Sequence, residues 1–505
     1  MGRDVWGTCA RGFLLSLLVL AQTASAEVVE ERGLAALKRV RVSTQGRRVL
    51  NKKLSEVFPS ETLAKSTTAV YLVDAVTGKT LYANRIDKPL NPASNVKLIS
   101  TATVLETLGP SWKYKTRALG RLPDQRGVVS GDLYLLGEGD PTLSVKRLGA
   151  LSEVLVDKGV KKVTGDIVVG ENALRDAMSG AIRIVVRGNS KAGEPAQVDV
   201  WPRTDFVRIE GRVQTVRSRS RRSRRRHRRR RPRVTFSSRV EETESGPRLV
   251  VKVSGKIEKE RSDSTTLSSK RPSTFTGHVL RDSLRERGVE VNGNIRVATF
   301  GEHLQNTMRE DEFPRTLATV ESESIEELVA MVNKRSLNGL SDRLVMTAGS
   351  VRYGIEPSME AGIRAMRDWL ESVGLNPSDI SIDTGSGLSY NTKLTARQLI
   401  DVLRTAGGFT DTPPSWAPVF KSSLAVAGVD GTLRRRFQKN EIPGRVIGKT
   451  GTLTGIIALS GFATFEGRTI AFSIITNGSR RQNKEHVRRD HERIVAAALD
   501  YLENN

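Results

Sequence analysis

Two short motifs near opposite ends of this chain constrain its fold more than anything between them. Ser94-Asn95-Val96-Lys97 lies in a helix-forming stretch, and Lys449-Thr450-Gly451 follows 352 positions later (97 to 449) on a short apolar strand, Arg445–Leu453. An early Ser-x-x-Lys on a helix and a late Lys-Thr-Gly on a strand are the two poles of a serine acyl-transfer site. If both serve one hydroxyl, the fold must close the two ends of the chain around whatever separates them.

What separates them differs in kind from what flanks them. Thr68–Val73 and Lys79–Ala83 are β-rich runs joined by a turn at Asp74–Gly78. Asn91-Pro92 then opens a helix, with Asn91 as cap, Pro92 at the first helical position and Leu98, Ala102 and Leu105 along its apolar face up to Gly109-Pro110. After about residue 118 the pattern becomes mostly β, with strands predicted at Leu133–Leu136, Ile167–Val169, Leu249–Val253 and Val289–Val297. Helices are expected there near Leu148–Val156 and Phe275–Glu286. Beyond about residue 315 helices return at Ser324–Asn333, Gly339–Ala348 and Met359–Val373. Ala458–Phe465 and Thr469–Thr476 then flank Glu466-Gly467, a two-residue hairpin turn, and a closing helix spans Val487–Leu502. The expected class is α/β (α+β), with 27–118 and 300–505 forming one discontinuous domain and 119–299 a β-rich insertion.

Composition narrows the setting. Residues 1–26 read as an export signal: Arg3 and Arg11, an apolar run at Phe13–Ala21, and the small residues Ala24-Ser25-Ala26. That run is too short to span a bilayer, and no later stretch is long enough. The single cysteine, Cys9, lies within the signal, so disulfides, a cysteine nucleophile and a zinc–thiolate site are excluded from the mature chain. A periplasmic or extracellular protein is expected. Net charge is +25, and 12 arginines fall within the 17 residues Arg217–Arg233. Such a run repels itself and reads first as a solvated loop, second as a tether to anionic envelope polymers. Nucleic acid is not the expected partner of an exported chain.

The chemistry rests on three segments. Ser94 and Lys97, three apart on a helix, share a face, and a serine in the first turn sits in the field of unpaired amides. That field favours an alkoxide on Ser94 and a neutral amine on Lys97, which can then take the serine proton without a histidine. A Ser-x-x-Lys arises by chance about once or twice in a chain this long, so the pair alone discriminates little. On a strand, Lys449 and Gly451 point one way and Thr450 the other, with Gly451 leaving room for a ligand along the edge. The phosphate-loop reading of Gly448-Lys449-Thr450 fails because Pro443 stands where glycine is required. Between them, Ser336-Leu337-Asn338 offers a hydroxyl and an amide one residue apart, with helix capping the competing reading of Ser336. Ser341-Asp342-Arg343 is a decoy with the wrong third residue. Of the five histidines, His227 falls in the arginine run, and His486 and His491 fall on the presumed exposed face of the closing helix.

Taken in order, these elements resemble the penicillin-recognising serine enzymes, and within them the D-alanyl-D-alanine carboxypeptidase/endopeptidase family, the low-molecular-mass class C penicillin-binding proteins. Pro92–Lys97, Gly131–Leu135 with Gly139–Leu143, Asp383–Ser389 followed by Asn391, Gly428–Leu433 and Lys449–Thr452 carry the likeness, across nearly all of 60–500. The resemblance implies a β-lactamase/transpeptidase-like domain whose antiparallel sheet is flanked by helices. It implies a serine DD-peptidase acting on peptidoglycan stem peptides, with no metal or organic cofactor and with β-lactams as acylating agents. By position, Ser94 is the acylated nucleophile and Lys97 its general base, with Ser336 and Asn338 assisting proton transfer and substrate placement. Lys449 and Thr450 would bind the terminal carboxylate, Gly451 would line the strand, and the amides of Ser94 and Thr452 would form the oxyanion hole. Two departures stand out: Leu337 replaces a usually polar residue, and Glu171–Val200 lacks the family's aromatic segment. The rival readings are a β-lactamase or esterase of the same fold and a non-catalytic wall-binding protein.

Overall fold

The computed structural model describes residues 39–40, 43–58, 60–170, 181–217, 233–243, 246–298, 314–438 and 442–505. The export signal and nearly all of the arginine run lie outside the described residues. By internal packing the chain divides into two units, one ending at Ser111 and resuming at Ile325, the other Trp112–Ser324.

In chain order the first unit contains α1 (Thr44–Val57), β1 (Thr67–Asp74), β2 (Thr80–Asn84) and α2 (Val96–Leu108). After the second unit come α3 (Ile325–Arg335), α4 (Asn338–Tyr353), α5 (Met359–Ser372), α6 (Ala396–Ala406) and α7 (Ala417–Ser423). The strands β3 (Ala425–Val426), β4 (Val446–Leu453), β5 (Ile456–Phe465) and β6 (Arg468–Asn477) and the closing helix α8 (Lys484–Asn504) complete it. The sheet runs β3-β4-β5-β6-β1-β2, and every pair is antiparallel. Its centre follows from the sequence: β5 and β6 are largely apolar runs buried almost throughout, and Glu466-Gly467 closes the hairpin with Phe465 opposite Arg468. Strand β1, from the other end of the chain, pairs with β6 along its whole length, so the chain ends do meet.

Alternation sorts β5 between two faces. Ile457, Leu459 and Ala463 join Leu50 and Leu54 of α1 and Ile494, Ala498 and Leu502 of α8 in one buried cluster. Each fully buried side chain of this kind contributes about 1.5–3 kcal/mol. On the other face Phe462 packs on Phe409, with ring centroids 5.3 Å apart. One expectation is corrected here. His491 is not on an exposed face of α8 but fully buried, its Nε2 2.8 Å from Thr476 Oγ1. The helix presents His491 to the core because it lies on the same stripe as Val487, Ile494 and Ala498.

The second unit is mostly β, with helices Val145–Asp157 and Pro272–Glu286. Its five-stranded sheet runs from Ile295–Ala298 through Ile167–Gly170, Leu133–Gly137 and Lys115–Gly120 to Arg315–Glu321. The single strand expected at Val289–Val297 is two, Glu290–Val291 and Ile295–Ala298, because Asn292-Gly293-Asn294 breaks the run. Leu135, Val169, Phe206 and Phe275 belong to its own buried cluster. Among the described residues no helix is long and apolar enough to cross a membrane.

Candidate active site

The turn that carries Ser94 is held from three sides. The Asn91 N–H donates to Asn477 Oδ1 on β6 (2.9 Å), Asn477 Nδ2 donates back to Asn91 O (2.9 Å), and Asn95 Nδ2 donates to Ser460 Oγ on β5 (2.7 Å). Asn91 Oδ1 accepts from the Ala93 N–H at 2.8 Å, which closes a local turn; Asn91 does not cap the helix as expected, because the 3-10 turn is capped by Pro92 and α2 by Asn95. The helix does not begin at Pro92, however. A 3-10 turn, Ala93–Asn95, comes first and α2 starts at Val96, because Ala93 takes a left-handed conformation (φ +48°) that no α-helix continues through. Ser94 therefore projects from a tight turn leading into the helix, still at its amino-terminal end.

Lys97, in the first turn of α2, is completely buried beneath it. Its Nζ donates to Ser94 Oγ (3.0 Å), to Asn338 Oδ1 (2.8 Å) and to the Ser386 carbonyl (2.5 Å). Burial pulls the Lys97 amine down to about 8, against the opposing pull of the nearby Asp342 carboxylate. Asn338 opens α4, while Ser336 lies in the link between α3 and α4 in a left-handed conformation (φ +58°). Non-glycine residues in that region cost about 1–3 kcal/mol, and the two flanking this site, Ala93 and Ser336, both aim side chains at it or beside it.

Ser336 Oγ accepts from Lys449 Nζ at 2.9 Å and does not cap the following helix, whose cap is Leu337. Lys449 also donates to Thr450 O (2.9 Å) and is wholly buried. Burial drives its amine well below the usual lysine range, and the Lys97 charge adds to the effect. The space left by Gly451 is not open to a ligand. A Cβ there would meet Pro92 O at 2.4 Å, so glycine lets the nucleophile turn lie directly on β4. Gly387 does the same from the opposite wall: its φ is +71°, and a Cβ would meet Ala93 O at 2.2 Å.

The free edge of β4 completes the site. Ala427 N–H donates to Val446 O, and β3 extends only to the partners of Ile447 and Gly448. Strand alternation then turns the N–H and C=O groups of Thr450 and Thr452 toward that same edge, past the end of β3. A cleft of about 630 Å³ opens there, lined by Ser94, Ser336, Asn338, Thr432, Thr450, Gly451 and Thr452 and, facing them, Arg435, Arg436, Arg488, Arg489, Glu485 and Glu492. Thr450 Oγ1 donates to Thr432 Oγ1 at 2.9 Å. Leu337, the apolar departure, is about one-third exposed and does not line the cleft.

Sequence reasoning missed part of this constellation. The supposed decoy supports the base: Ser341 Oγ donates to Gly385 O (2.9 Å), Ser100 Oγ donates to the same carbonyl (2.6 Å), and the Ser386 N–H donates to Asp342 Oδ1 (2.7 Å). These contacts hold the Gly385–Ser386 peptide, next to the Ser386 carbonyl that Lys97 touches. Their signal was present, since Asp342 stands four residues after Asn338 on one helical face. Burial raises the Asp342 carboxyl, opposed by its hydrogen bonds from Ser386 and by the charge on Lys97.

Comparison with known proteins gives a consistent picture. The sequence profile of the D-Ala-D-Ala carboxypeptidase 3 (S13) family matches residues 50–499. A D-alanyl-D-alanine carboxypeptidase of Actinomadura sp. (strain R39) is 28% identical over 465 residues, covering 85% of this chain and 81% of that protein. The D-alanyl-D-alanine carboxypeptidase DacB of Haemophilus influenzae is 22% identical over 414 residues, 76% of this chain and 80% of its own. The crystal structure of penicillin binding protein 4 (dacB) from Haemophilus influenzae superposes with a TM-score of 0.66 at 19% identity, over 88% of this chain and 99% of that one. At that identity the superposition establishes a shared fold.

Proposed function

The chain belongs to the D-Ala-D-Ala carboxypeptidase 3 (S13) family; from that premise we propose how its residues carry out serine-type DD-peptidase chemistry. It is a serine-type D-Ala-D-Ala carboxypeptidase acting on peptidoglycan stem peptides and acylated by β-lactams. The observation that carries the assignment of roles is Lys97 Nζ, buried and 3.0 Å from Ser94 Oγ.

In its neutral form Lys97 takes the Ser94 proton as Oγ attacks the carbonyl carbon between two D-alanines. The N–H groups of Ser94 and Thr452 receive the oxyanion, one in the 3-10 turn leading into a helix and one on the free strand edge; losing one such donor costs ~10²–10³ in rate. Asn338 gives its Oδ1 to Lys97, leaving its Nδ2 for the substrate amide. Ser336 relays a proton to the departing nitrogen as the C–N bond breaks and D-alanine leaves. Water, deprotonated by Lys97, then hydrolyses the ester and restores Ser94. Thr450 and Thr452 face the departing residue, with Lys449 behind them holding Ser336. The same site would cut D-alanyl cross-links as an endopeptidase.

The enzyme would act outside the cytoplasmic membrane, where its polymer lies. The arginine segment Arg217–Arg233 would hold it on anionic envelope polymers, and deletion of that segment without change in envelope retention at low salt removes this part of the reading. The central test is mass spectrometry after mixing with penicillin. A long-lived adduct on the peptide containing Ser94, absent in Ser94→Ala, is expected. An unmodified protein overturns the reading, and rapid release of opened drug would make the chain a β-lactamase.

A further inference from the structure

A substrate that ends in a carboxylate needs a cation it can touch, and Lys449 does not present one. It is fully buried, its Nζ is engaged by Ser336 Oγ and Thr450 O, and it does not line the cleft. Ser336 and Thr450, both in the cleft wall, stand between it and a carboxylate in the cleft.

Arg488 of α8 stands where that cation is required. Its Nη2 donates to Thr452 Oγ1 at 3.3 Å, at the free edge of β4 and on the cleft wall. Its Nη1 donates to Glu485 Oε1 at 2.5 Å, one turn earlier on the same helix. These contacts use two of the five N–H groups of a guanidinium, and about a third of the side chain stays exposed. The helix is pinned at this point: Arg436 Nη2 donates to the Arg488 carbonyl (3.1 Å) and Arg436 Nε to Glu492 Oε1 (2.6 Å). Arg435 and Arg489 extend the same wall, so four arginines face two glutamates there.

We infer that Arg488, reaching from the closing helix to Thr452, is the residue that receives the substrate carboxylate on the leaving side of the scissile bond and sets the enzyme's preference for a free carboxylate there. This rests on the DD-peptidase reading above. A planar guanidinium forms paired, charge-assisted hydrogen bonds to a carboxylate, which a buried amine cannot offer. Thr452 then has two duties, its N–H toward the oxyanion and its hydroxyl keeping Arg488 in register.

The test compares two substrates on the full-length protein: a diacylated tripeptide ending in D-Ala-D-Ala and the same peptide ending in D-alaninamide. Wild type is expected to prefer the carboxylate strongly. Arg488→Gln should lower kcat/KM for the carboxylate substrate by about 10–100-fold, chiefly through KM, and leave the amide substrate nearly unchanged. Should that variant fold poorly, Arg488→Lys keeps the charge on a shorter stem and should lose several-fold on the carboxylate substrate alone. A preference unchanged in the variants, or equal losses on both substrates, overturns the inference. If wild type turns over neither substrate and gains no mass with penicillin, the failure lies with the DD-peptidase reading instead.

Discussion

At the scale of single residues, the proposed site is built on a buried lysine whose burial sets its proton affinity. With its amine at about 8, Lys97 is mostly protonated at neutral pH and becomes a base as pH rises. The kcat/KM profile for a D-Ala-D-Ala peptide should therefore climb through an ascending limb near pH 8. Asp342 opposes that shift, so Asp342→Asn should move the limb to lower pH; a limb that stays in place would detach Asp342 from the base. The same lysine costs stability. Its folded value lies below the 10.5 of an exposed lysine, so the unfolded chain holds the extra proton between pH 8 and 10.5, and stability from this group rises with pH through that window. Below pH 8 the burial penalty is felt in full. Lys97→Met should thus be inactive yet about 1–3 kcal/mol more stable than wild type at pH 7, measured by urea unfolding.

At the scale of elements, the fit of the nucleophile turn against β4 decides whether these residues meet. Gly451→Ala places a methyl 2.4 Å from Pro92 O, which only a backbone movement relieves. Since a displacement of about 1 Å at a reacting group costs ~10²-fold, kcat/KM should fall by about that factor while circular dichroism stays unchanged. The same fit explains what was legible in the sequence. The β5–β6 hairpin could be read because both strands are largely apolar runs that flank a two-residue turn. The 3-10 turn at Ala93–Asn95 could not, because Ala93 is left-handed only under tertiary packing. Strand β3, at two residues, is too short to carry any period. In the second unit, Val234–Thr243 and Ser262–Ser268 were invisible because Ser, Thr, Arg and Glu fill their exposed positions. Ser94, Lys97 and the Lys449 strand were readable from motif and spacing. Arg488 was not, because a helix far along the chain reaches the strand edge only once the sheet has formed.

At the scale of the whole molecule, each unit encloses one buried histidine among the described residues, and the pair is expected to shape its response to acid. His491, against Thr476 in the first unit, is held down to about 3 by burial and then by the Arg436 charge. His278, in the helix Pro272–Glu286 of the second unit, is held down to about 4 by burial and then by Arg281, whose Nη2 lies 2.9 Å from its Nδ1. Both values lie below the ordinary 6.5. Above pH 6.5 neither fold carries a penalty; as pH falls from 6.5 toward 3–4, the unfolded chain takes up protons that the folded units refuse, and stability drains away. Each histidine removes up to about 1.4 kcal/mol for every pH unit across its window. The two lie in different units, so their effects should add. His491→Gln keeps an amide for Thr476 but cannot protonate, and His278→Gln does the same in the other unit. Urea unfolding at pH 7, 5.5 and 4 should give each single variant a shallower loss of stability than wild type, and the double variant the shallowest, even if their stability at pH 7 is lower. Slopes identical to wild type would mean that carboxylates, not these histidines, govern how the protein responds to acid.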